Sequence, residues 1–427
     1  MLNQVEYYQE DTVKQRIAEY CGGNHTTPDG FTSEYLVGYG EAVTWEEINR
    51  EGFVSTPREG FNWILGKGLD IFRSNWDSES ILGILDVEYF NMDYPGEPYL
   101  NPERTYTLLE PVYNAIMDVL ARFYITPLAV ISGRGYNFTS CVRMVDTRAA
   151  KELIRIGKVA PSLRAKYAVA AGRRHRPVPL EFGLAHDGMG RLNEYIAHLV
   201  IKQVRKKSLF PVVFTDLAVG IGQRGREAIS IDLSMYGDPL YMRDIRCPFS
   251  SYQKHRVKRY AVGEDVARTV PVHIALPRNG RVSLKDLLAW RSHFRNSAEY
   301  ASSVKTTIPD CSQGYEKLIR SYKRSRLYRF HKYFDSQEHD DFRLWNRTYD
   351  RFNPEELPPC VSHCLLFPND NLLKPTNLQT LTRVLMKKGW HPKHIAGLVR
   401  SKFERDYKWG TQWFKSVSYT HLTLPTN

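Results

Sequence analysis

The chain has 427 residues, of which 42% are apolar and 25% charged, so its composition excludes a disordered chain and suits two to three folded domains. Its 59 basic and 47 acidic residues give a formal charge of +12, which favours nucleic acid or nucleotides as partners but also fits a merely soluble basic surface. No apolar stretch is long enough to span a membrane, the N-terminus shows no signal-peptide core, and six scattered cysteines indicate a reduced, cytoplasmic protein.

Strand-like and helix-like patterns alternate in the first half of the chain, which predicts an α/β fold, that is, a mixed α+β core. Residues 1–75 are expected to be mostly helical and to form the N-terminal part of this core, with aromatic anchors at Trp45, Trp63, Phe72 and Trp76. The main core is expected over 76–265, with strands at 81–90, 127–133, 209–219 and 227–236 and helices at 106–125, 147–170 and 190–207.

The second half of the chain is predicted to be helical and more basic. We expect a basic and aromatic connector over 266–350 and a helical C-terminal region over 351–416. The last residues, SYTHLTLPTN, fit nothing before them and predict a non-native tail over 417–427.

Two acids lie one residue apart in the apolar run ILGILDVEYFN. Because alternate residues of a strand face the same side, Asp86 and Glu88 are predicted to project together. Two close carboxylates repel each other, and a divalent Mg²⁺ or Mn²⁺ would remove that repulsion. Asp232, in the strand-like run AISIDLSMY, is the candidate third carboxylate for a site with two ions. The alternative is that each acid caps a strand or pairs with an arginine.

Two further segments suit the binding of phosphates. In ISGRGYNF, Ser132 and Gly133 form a tight turn whose backbone N–H groups can hold phosphate oxygens, and Arg134 adds a cation. In RDIRCPFSSYQKH, a cation, a hydroxyl and a second cation recur every four residues, at Arg246, Ser250 and Lys254. A plain turn and a charged surface loop are the alternatives.

These segments occur in the order D-x-E, S-G-R-G-x-N, and h-h-h-D followed by R-x-P-x-S-x-x-x-K. In this order the chain resembles the archaeo-eukaryotic primase superfamily, in particular the primase–polymerases carried by plasmids, phages and bacterial genomes. The resemblance covers about residues 60–260. It implies two α/β subdomains with an RRM-like sheet, two catalytic metal ions held by Asp86, Glu88 and Asp232, and an incoming nucleotide held by the Ser132 loop and the Arg246/Lys254 segment.

The function that the resemblance implies is template-directed nucleotidyl transfer from an NTP or dNTP to a 3′-hydroxyl on DNA or RNA, in a nucleoid-associated protein with a helicase as a further partner. The sequence departs from the family where a histidine is expected, because the matching residue is Asn137, which can donate a hydrogen bond but carries no charge. A catalytically degenerate, nucleic-acid-binding replication accessory protein is therefore the alternative. A metal nuclease ranks last, because no lysine closely follows Glu88.

The segment LIRSYKRSRLYRFHKYF mixes cations with aromatic residues, a composition that suits phosphate contacts and base stacking. Nucleic-acid contacts are predicted for Arg320, Lys323, Arg324, Arg326 and Arg329. The alternative is a helix with a solvated basic face and an aromatic core stripe.

The C-terminal LPPCVSHCLLF resembles the start of the iron–sulfur domain of the primase large subunit, in which Cys360 would be the first ligand of a [4Fe–4S] cluster. Such a cluster needs four ligands, and this region offers only Cys360 and Cys364, so the cluster is expected to be incomplete here. A zinc site that adds His363 lacks a fourth ligand, and two thiols on a helix are the favoured interpretation.

Overall fold

The computed structural model describes residues 3–43, 53–91, 93–159, 161–169, 177–214, 227–236, 243–366 and 374–402. The predicted anchor Trp45, the end of the predicted strand 209–219, part of the C-terminal region and the predicted tail lie outside these residues. The chain divides into two compact units: the first is Met1–Val213, Ile221–Ile231 and Pro239–Ile319, and the second is Phe214–Gly220, Asp232–Asp238 and Arg320–Asn427. The division falls inside the predicted connector.

The described strands are β1 (Leu36–Tyr39), β2 (Phe53–Thr56), β3 (Asp70–Ser74), β4 (Ser80–Asn91), β5 (Leu128–Ile131), β6 (Gly135–Arg143), β7 (Val212–Val213), β8 (Glu227–Asp232), β9 (Asp244–Arg246), β10 (Ser251–Tyr252), β11 (His273–Ile274) and β12 (Leu276–Pro277). They form a six-stranded sheet in the order β12-β5-β6-β4-β8-β7, a four-stranded sheet in the order β2-β1-β3-β9, and the pair β10-β11. In the larger sheet β4 is antiparallel to β6 and β7 is parallel to β8.

The described helices are α1 (Gln4–Gln9), α2 (Asp11–Tyr20), α3 (Phe61–Gly66), α4 (Glu97–Leu100), α5 (Pro102–Ala121), α6 (Arg148–Ile156), α7 (Pro161–Tyr167), α8 (Leu180–Val204), α9 (Lys254–Val257), α10 (Arg259–Val262), α11 (Glu264–Thr269), α12 (Leu284–Trp290), α13 (Phe294–Ala301), α14 (Ser312–Lys323), α15 (Arg326–Phe334), α16 (Pro359–Leu366), α17 (Lys374–Lys387) and α18 (Pro392–Arg400). Helices and mixed sheets together confirm the predicted α+β class. None of the described helices has the combination of length and apolar character that a membrane span requires.

Strand β4 confirms the strand predicted at 81–90, and it lies inside the larger sheet between β6 and β8. One helical face of α5 is buried, as its apolar spacing predicts, and α5 begins after Asn101, whose side chain accepts a hydrogen bond from the Arg104 N–H. The helix predicted at 147–170 is instead two helices, α6 and α7, with extended backbone at Gly157 after the end of α6.

The prediction of a mostly helical segment 1–75 is wrong, because three strands of the four-stranded sheet lie in it. All four residues of β1 are buried, so this short strand shows no alternation of apolar and polar residues that would reveal it. Trp63 is 40% exposed and is not a core anchor, whereas Trp76 is 3% exposed and confirms its prediction.

The predicted glycine loop at 133–138 is shorter than expected, because β6 begins at Gly135. Nearly every residue of β6 is buried, including the polar Asn137 and Thr139. A central strand that is buried on both faces need not alternate between apolar and polar residues. The sequence of β6, which includes glycine and polar residues, can therefore resemble that of a loop.

The second unit has its own apolar core, formed by α15 to α18 and the turns between them. The buried members of this core are Phe334, Trp345, Tyr349, Leu357, Val361, Leu365, Leu378, Leu381, Leu385, Ile395, Leu398 and Val399. At the start of α18 the His391 side chain accepts a hydrogen bond from the Lys393 N–H, so this histidine caps a helix.

Candidate active site on strand β4

The two acids of β4 share one face of the larger sheet with the asparagine of β6. Along β4, Asp86 and Glu88 are half-buried while Val87 between them is buried on the opposite side. In the antiparallel register Asp86 pairs with Asn137 and Glu88 pairs with Gly135. Directly paired side chains lie on the same face, so Asn137 stands beside Asp86. The structure therefore brings together three of the predicted site residues.

Glu88 forms the centre of a charged cluster. Its carboxylate accepts a hydrogen bond from Arg134 Nη2 at 2.6 Å, and both side chains are about one-fifth exposed. Burial raises the pKa of Glu88, but Arg134 and Lys254 outweigh burial and hold this pKa at about 2. The Arg134 guanidinium also lies 4.3 Å from the centre of the Phe90 ring. Glu88 is therefore ionised at neutral pH, and three cations, Arg134, Lys254 and Arg246, lower its pKa.

The turn that carries Arg134 depends on two glycines because other groups approach the backbone closely. The Ser132 N–H donates to the Gly135 carbonyl at 2.9 Å. A Cβ atom on Gly133 would lie 2.0 Å from the Tyr252 ring, and one on Gly135 would lie 1.8 Å from the Val87 carbonyl oxygen. Only glycine permits both approaches. The predicted tight turn is present, and Tyr252 covers it.

Arg291 holds the other side of this turn. Its side chain is fully buried, and its guanidinium donates to the Ser132 carbonyl at 2.9 Å and to the Gly133 carbonyl at 3.0 Å. It also donates to the Tyr106 hydroxyl and to His273 Nδ1. The latter bond requires a neutral His273, in accord with a pKa that burial lowers well below the usual histidine range.

The second predicted phosphate-binding segment is more buried than the sequence suggests. Arg246 is 5% exposed and forms a 2.8 Å ion pair with the fully buried Asp70. The Ser250 hydroxyl accepts a hydrogen bond from the Ile71 N–H at 2.6 Å and donates to the Ser251 carbonyl. Both side chains therefore support the fold here, and their contact with a nucleotide stays a prediction.

Lys254 is the first residue of α9 and is half-buried. Its positive charge attracts the ionised Glu88 carboxylate and so contributes to the low pKa of that carboxyl group. Of the three residues predicted from the R-x-P-x-S-x-x-x-K spacing, both cations, Lys254 and Arg246, thus lower the pKa of Glu88. Arg246 is in addition ion-paired with the buried Asp70.

The third predicted carboxylate, Asp232, is the last residue of β8, the strand next to β4 in the sheet. Within the described ranges, no group of three or more His, Cys, Asp and Glu side chains is placed to hold a metal ion. The three-carboxylate centre with two ions therefore stays a prediction.

The donors on the β4 face nevertheless fit one hard divalent cation. Asp86 and Glu88 supply carboxylate oxygens, and the buried Asn137 Oδ1 has no hydrogen-bond partner in the part of the chain that the structure describes. Carboxylate and amide oxygens are the ligands that Mg²⁺ and Mn²⁺ prefer. An unpaired amide oxygen in a buried position is costly, and a bound cation would satisfy it.

Two residues of this site are missed when the sequence is considered alone. Tyr252 lies between Ser250 and Lys254, so its place in the motif could have indicated a role in the site. The prediction from the motif considers only its cations and its hydroxyl, and it leaves out the aromatic ring. Arg291 offers no signal, because 158 positions separate it from Gly133 and nothing in its neighbourhood resembles a motif.

The nucleic-acid residues predicted near α14 and α15 are placed mostly at the surface. Arg320, Arg324, Arg326 and Arg329 are exposed and Lys323 is half-buried, whereas Tyr322 and Phe334 are buried. Exposed cations and buried aromatic residues thus occur together, as the alternative expects, but on two helices and not on one. The nucleic-acid contacts stay a prediction.

The two cysteines of α16 differ in exposure. Cys360 is exposed and Cys364 is buried, and the Cys364 thiol donates to the Cys360 carbonyl at 3.3 Å. This arrangement is that of two thiols on one helix, and the iron–sulfur ligand role of Cys360 stays a prediction.

Comparison with known proteins gives a structural similarity. The sequence matches no protein-family model and no curated protein. Among solved structures, the chain is similar to the polymerase domain from Mycobacterium tuberculosis Ligase D in complex with DNA, at 11% sequence identity and a TM-score of 0.35. The match covers 77% of this chain and 92% of that domain.

Proposed function

We propose that the protein is a metal-dependent nucleotidyltransferase of the primase–polymerase kind, which transfers a nucleotide from an NTP or dNTP to a 3′-hydroxyl on a nucleic-acid template. The observation that supports this proposal most strongly is the arrangement on the β4 face. Asp86, Glu88 and Asn137 offer oxygen donors there, while Arg134 is bonded to Glu88 and Lys254 adds a more distant positive charge that lowers the pKa of Glu88. Carboxylates next to cations suit a substrate that brings both a divalent ion and a polyphosphate.

In this proposal, different residues of the site would bind the cation and the triphosphate. Asp86 and Glu88, with the Asn137 amide oxygen, would hold a divalent cation, which when bound lowers the pKa of the attacking hydroxyl and neutralises the leaving pyrophosphate. Arg134 and Lys254 would offset the charge of the triphosphate, and the Ser132–Gly133 turn would contact its oxygens through backbone N–H groups. The low pKa of Glu88 keeps its carboxylate ionised and ready to bind a cation.

The exposed cations of α14 and α15 would contact the template or primer. Arg326 and Arg329 lie one turn apart on α15, and both are exposed. Because phosphate contacts release counterions, binding through this face would weaken steeply as salt rises.

The test is a primer-synthesis and primer-extension assay on a DNA template with Mn²⁺, run separately with ribonucleotides and with deoxynucleotides. We expect the wild-type protein to incorporate nucleotide. The rate of incorporation by the Asp86→Ala variant should be at least about 100-fold lower. The matched control is Asp118→Ala, which removes an acid of α5 whose carboxylate bonds Gln203 outside the site. Absence of incorporation by the wild type with either nucleotide set would refute the proposal.

A second candidate is a non-catalytic nucleic-acid-binding protein on the same fold, and the observation that favours it is Asn137. An amide carries no charge and cannot transfer a proton, so the position cannot do what a histidine would do there. Metal titration separates the two candidates. DNA binding that is unaffected by Asp86→Ala, together with no metal-dependent nucleotide binding, would favour this accessory role.

A further inference from the structure

The turn at Ser132–Gly135 is held by a buried cation that lies behind it. Arg291 follows the last residue of α12, and its backbone carbonyl accepts a hydrogen bond from the Ile274 N–H at 2.7 Å. Its guanidinium is fully buried and donates to the carbonyls of Ser132 and Gly133. Arg291 is therefore fixed at both its backbone and its side chain.

The partners of this guanidinium are unusual for a buried cation. Among the described residues, no carboxylate forms an ion pair with Arg291, whereas four neutral acceptors receive its hydrogen bonds: the two carbonyls, the Tyr106 hydroxyl and His273 Nδ1. A buried charge is costly unless it is paired, so the dipoles of the turn carry much of the compensation. The positive charge of Arg291 therefore lies directly behind the turn, and no carboxylate of the described residues neutralises it.

These bonds also fix the direction of the turn's amides. No cis peptide bond occurs in the described chain, so each C=O and the N–H of the same peptide unit point in opposite directions. Since the carbonyls of Ser132 and Gly133 point at Arg291, the N–H groups of Gly133 and Arg134 point away from it. Neither N–H has an acceptor among the residues that the structure describes. Two aligned amides backed by a cation make a site for an anion.

The hydroxyl of Tyr106 reinforces the same arrangement. It accepts from Arg291 Nη1 at 3.1 Å and donates to the Ser132 carbonyl at 2.6 Å. Tyr106 and Arg291 thus both donate to the Ser132 carbonyl and fix its direction. The substitution Arg291→Lys would keep the positive charge but lose the planar guanidinium, which can donate to two carbonyls at once.

We infer that Arg291 is a positioning residue for triphosphate binding: it orients the Ser132–Gly133 turn and backs its N–H groups with positive charge. This inference rests on the proposed function, because the turn must bind the phosphates of a nucleotide. Arg291 itself contacts no substrate, since it is fully buried behind the turn.

The test compares the full-length wild-type protein with Arg291→Lys by calorimetric titration of a nucleoside triphosphate with Mn²⁺, and by the KM and kcat of primer extension. We expect the Kd and KM to rise about tenfold or more while kcat stays within about twofold, because uniform substrate binding is lost. The matched control is Arg73→Lys, which removes another buried guanidinium group, one that donates to the Tyr20 carbonyl and to the Asp77 carboxylate. It should lower stability but leave the Kd unchanged.

The outcomes are distinguishable. A wild-type protein that binds no triphosphate overturns the proposed function and this inference with it. A wild type that binds, with an Arg291→Lys variant that is folded and binds equally well, overturns the inference alone. If Arg291→Lys does not fold, Tyr106→Phe removes only the reinforcing hydroxyl and should raise the Kd about threefold. An unchanged Kd in that variant would then contradict the inference.

Discussion

The ion pair between Glu88 and Arg134 makes the stability of the protein depend on pH in a way that can be predicted. The pKa of Glu88 is about 2 in the folded protein, against an ordinary value of 4.5. A carboxyl group whose pKa is lower in the folded state stabilises that state above its unfolded pKa, and this contribution is lost as the pH falls toward the folded pKa. The relevant window is therefore from about pH 5 down to pH 2.

The size of the effect follows from the shift in pKa. A pKa lowered from 4.5 to about 2 corresponds to at most about 3.4 kcal/mol. Partial exposure of both side chains lowers the expected value to about 2 kcal/mol. Glu88→Gln removes the titrating group. The wild type should exceed this variant in urea midpoint by about 0.5–1 M at pH 7, and the difference should shrink steadily between pH 5 and pH 2.

Tryptophan fluorescence during urea unfolding at several pH values measures this difference. Arg134→Gln should weaken the pH dependence, because it removes the cation that is bonded to Glu88 and leaves the more distant charge of Lys254. Glu299→Gln is the matched control, since Glu299 pairs with Arg295 at the surface and should show a difference below about 0.5 kcal/mol at every pH. Equal differences in stability between the wild type and Glu88→Gln at pH 3 and at pH 7 would rule out a stabilising ionised Glu88.

Thiol burial, the close approach at Gly133 and the exposed basic face can each be tested separately. A thiol reagent should modify one cysteine rapidly in the folded protein, and Cys360→Ser should abolish that reaction, because the other five thiols are buried. Gly133→Ala should cost about 1–3 kcal/mol in urea unfolding, since its Cβ would meet the Tyr252 ring, and Tyr252→Leu should restore part of the loss; an unchanged midpoint would contradict the close approach. Each alanine substitution in the exposed basic face should lower the salt dependence of DNA binding by about 0.9 in log–log slope, and a slope that does not change would show that DNA binds elsewhere; the residues to replace are Arg320, Arg324, Arg326 and Arg329.

The sequence reveals the acids of β4 because they break an apolar run at the spacing of a strand. A charge inside such a run has few explanations, and period-two spacing is enough to predict that Asp86 and Glu88 lie on one face. The tight turn is equally visible, since glycine, arginine and glycine follow a strand. These features depend on local spacing, and the structure confirms their local geometry.

The partners of those features could not be predicted, because they come from distant parts of the chain. Nothing in the sequence around Asp70 indicates a partner for this acid, yet Asp70 is fully buried and pairs with Arg246. Arg291 likewise looks like a surface arginine. The energy of a buried cation depends on which dipoles surround it, and a single sequence without contacts does not specify them. The same limit explains why short, fully buried strands such as β1 escape prediction.

The position of Asn137 bears on whether the site is degenerate. It pairs with Asp86 on one side and with Val130 on the other, and it is 4% exposed. An imidazole is larger than an amide, so a histidine here would have to displace a neighbour in a closely packed strand. Asn137→His is therefore a poor test of lost function, because steric strain and chemistry would change together.

Asn137→Asp is the sharper substitution, because it keeps the size of the side chain and adds a charge. If the asparagine oxygen helps to hold a divalent cation, the extra charge should strengthen Mn²⁺ binding when it is measured by calorimetry without nucleotide. If the position only fills space beside Asp86, a third carboxylate on this face would add repulsion and destabilise the protein at neutral pH without a gain in Mn²⁺ affinity. The charge for the triphosphate would in either case come from Arg134 and Lys254, which is why the loss of a histidine at 137 need not remove the function of the site.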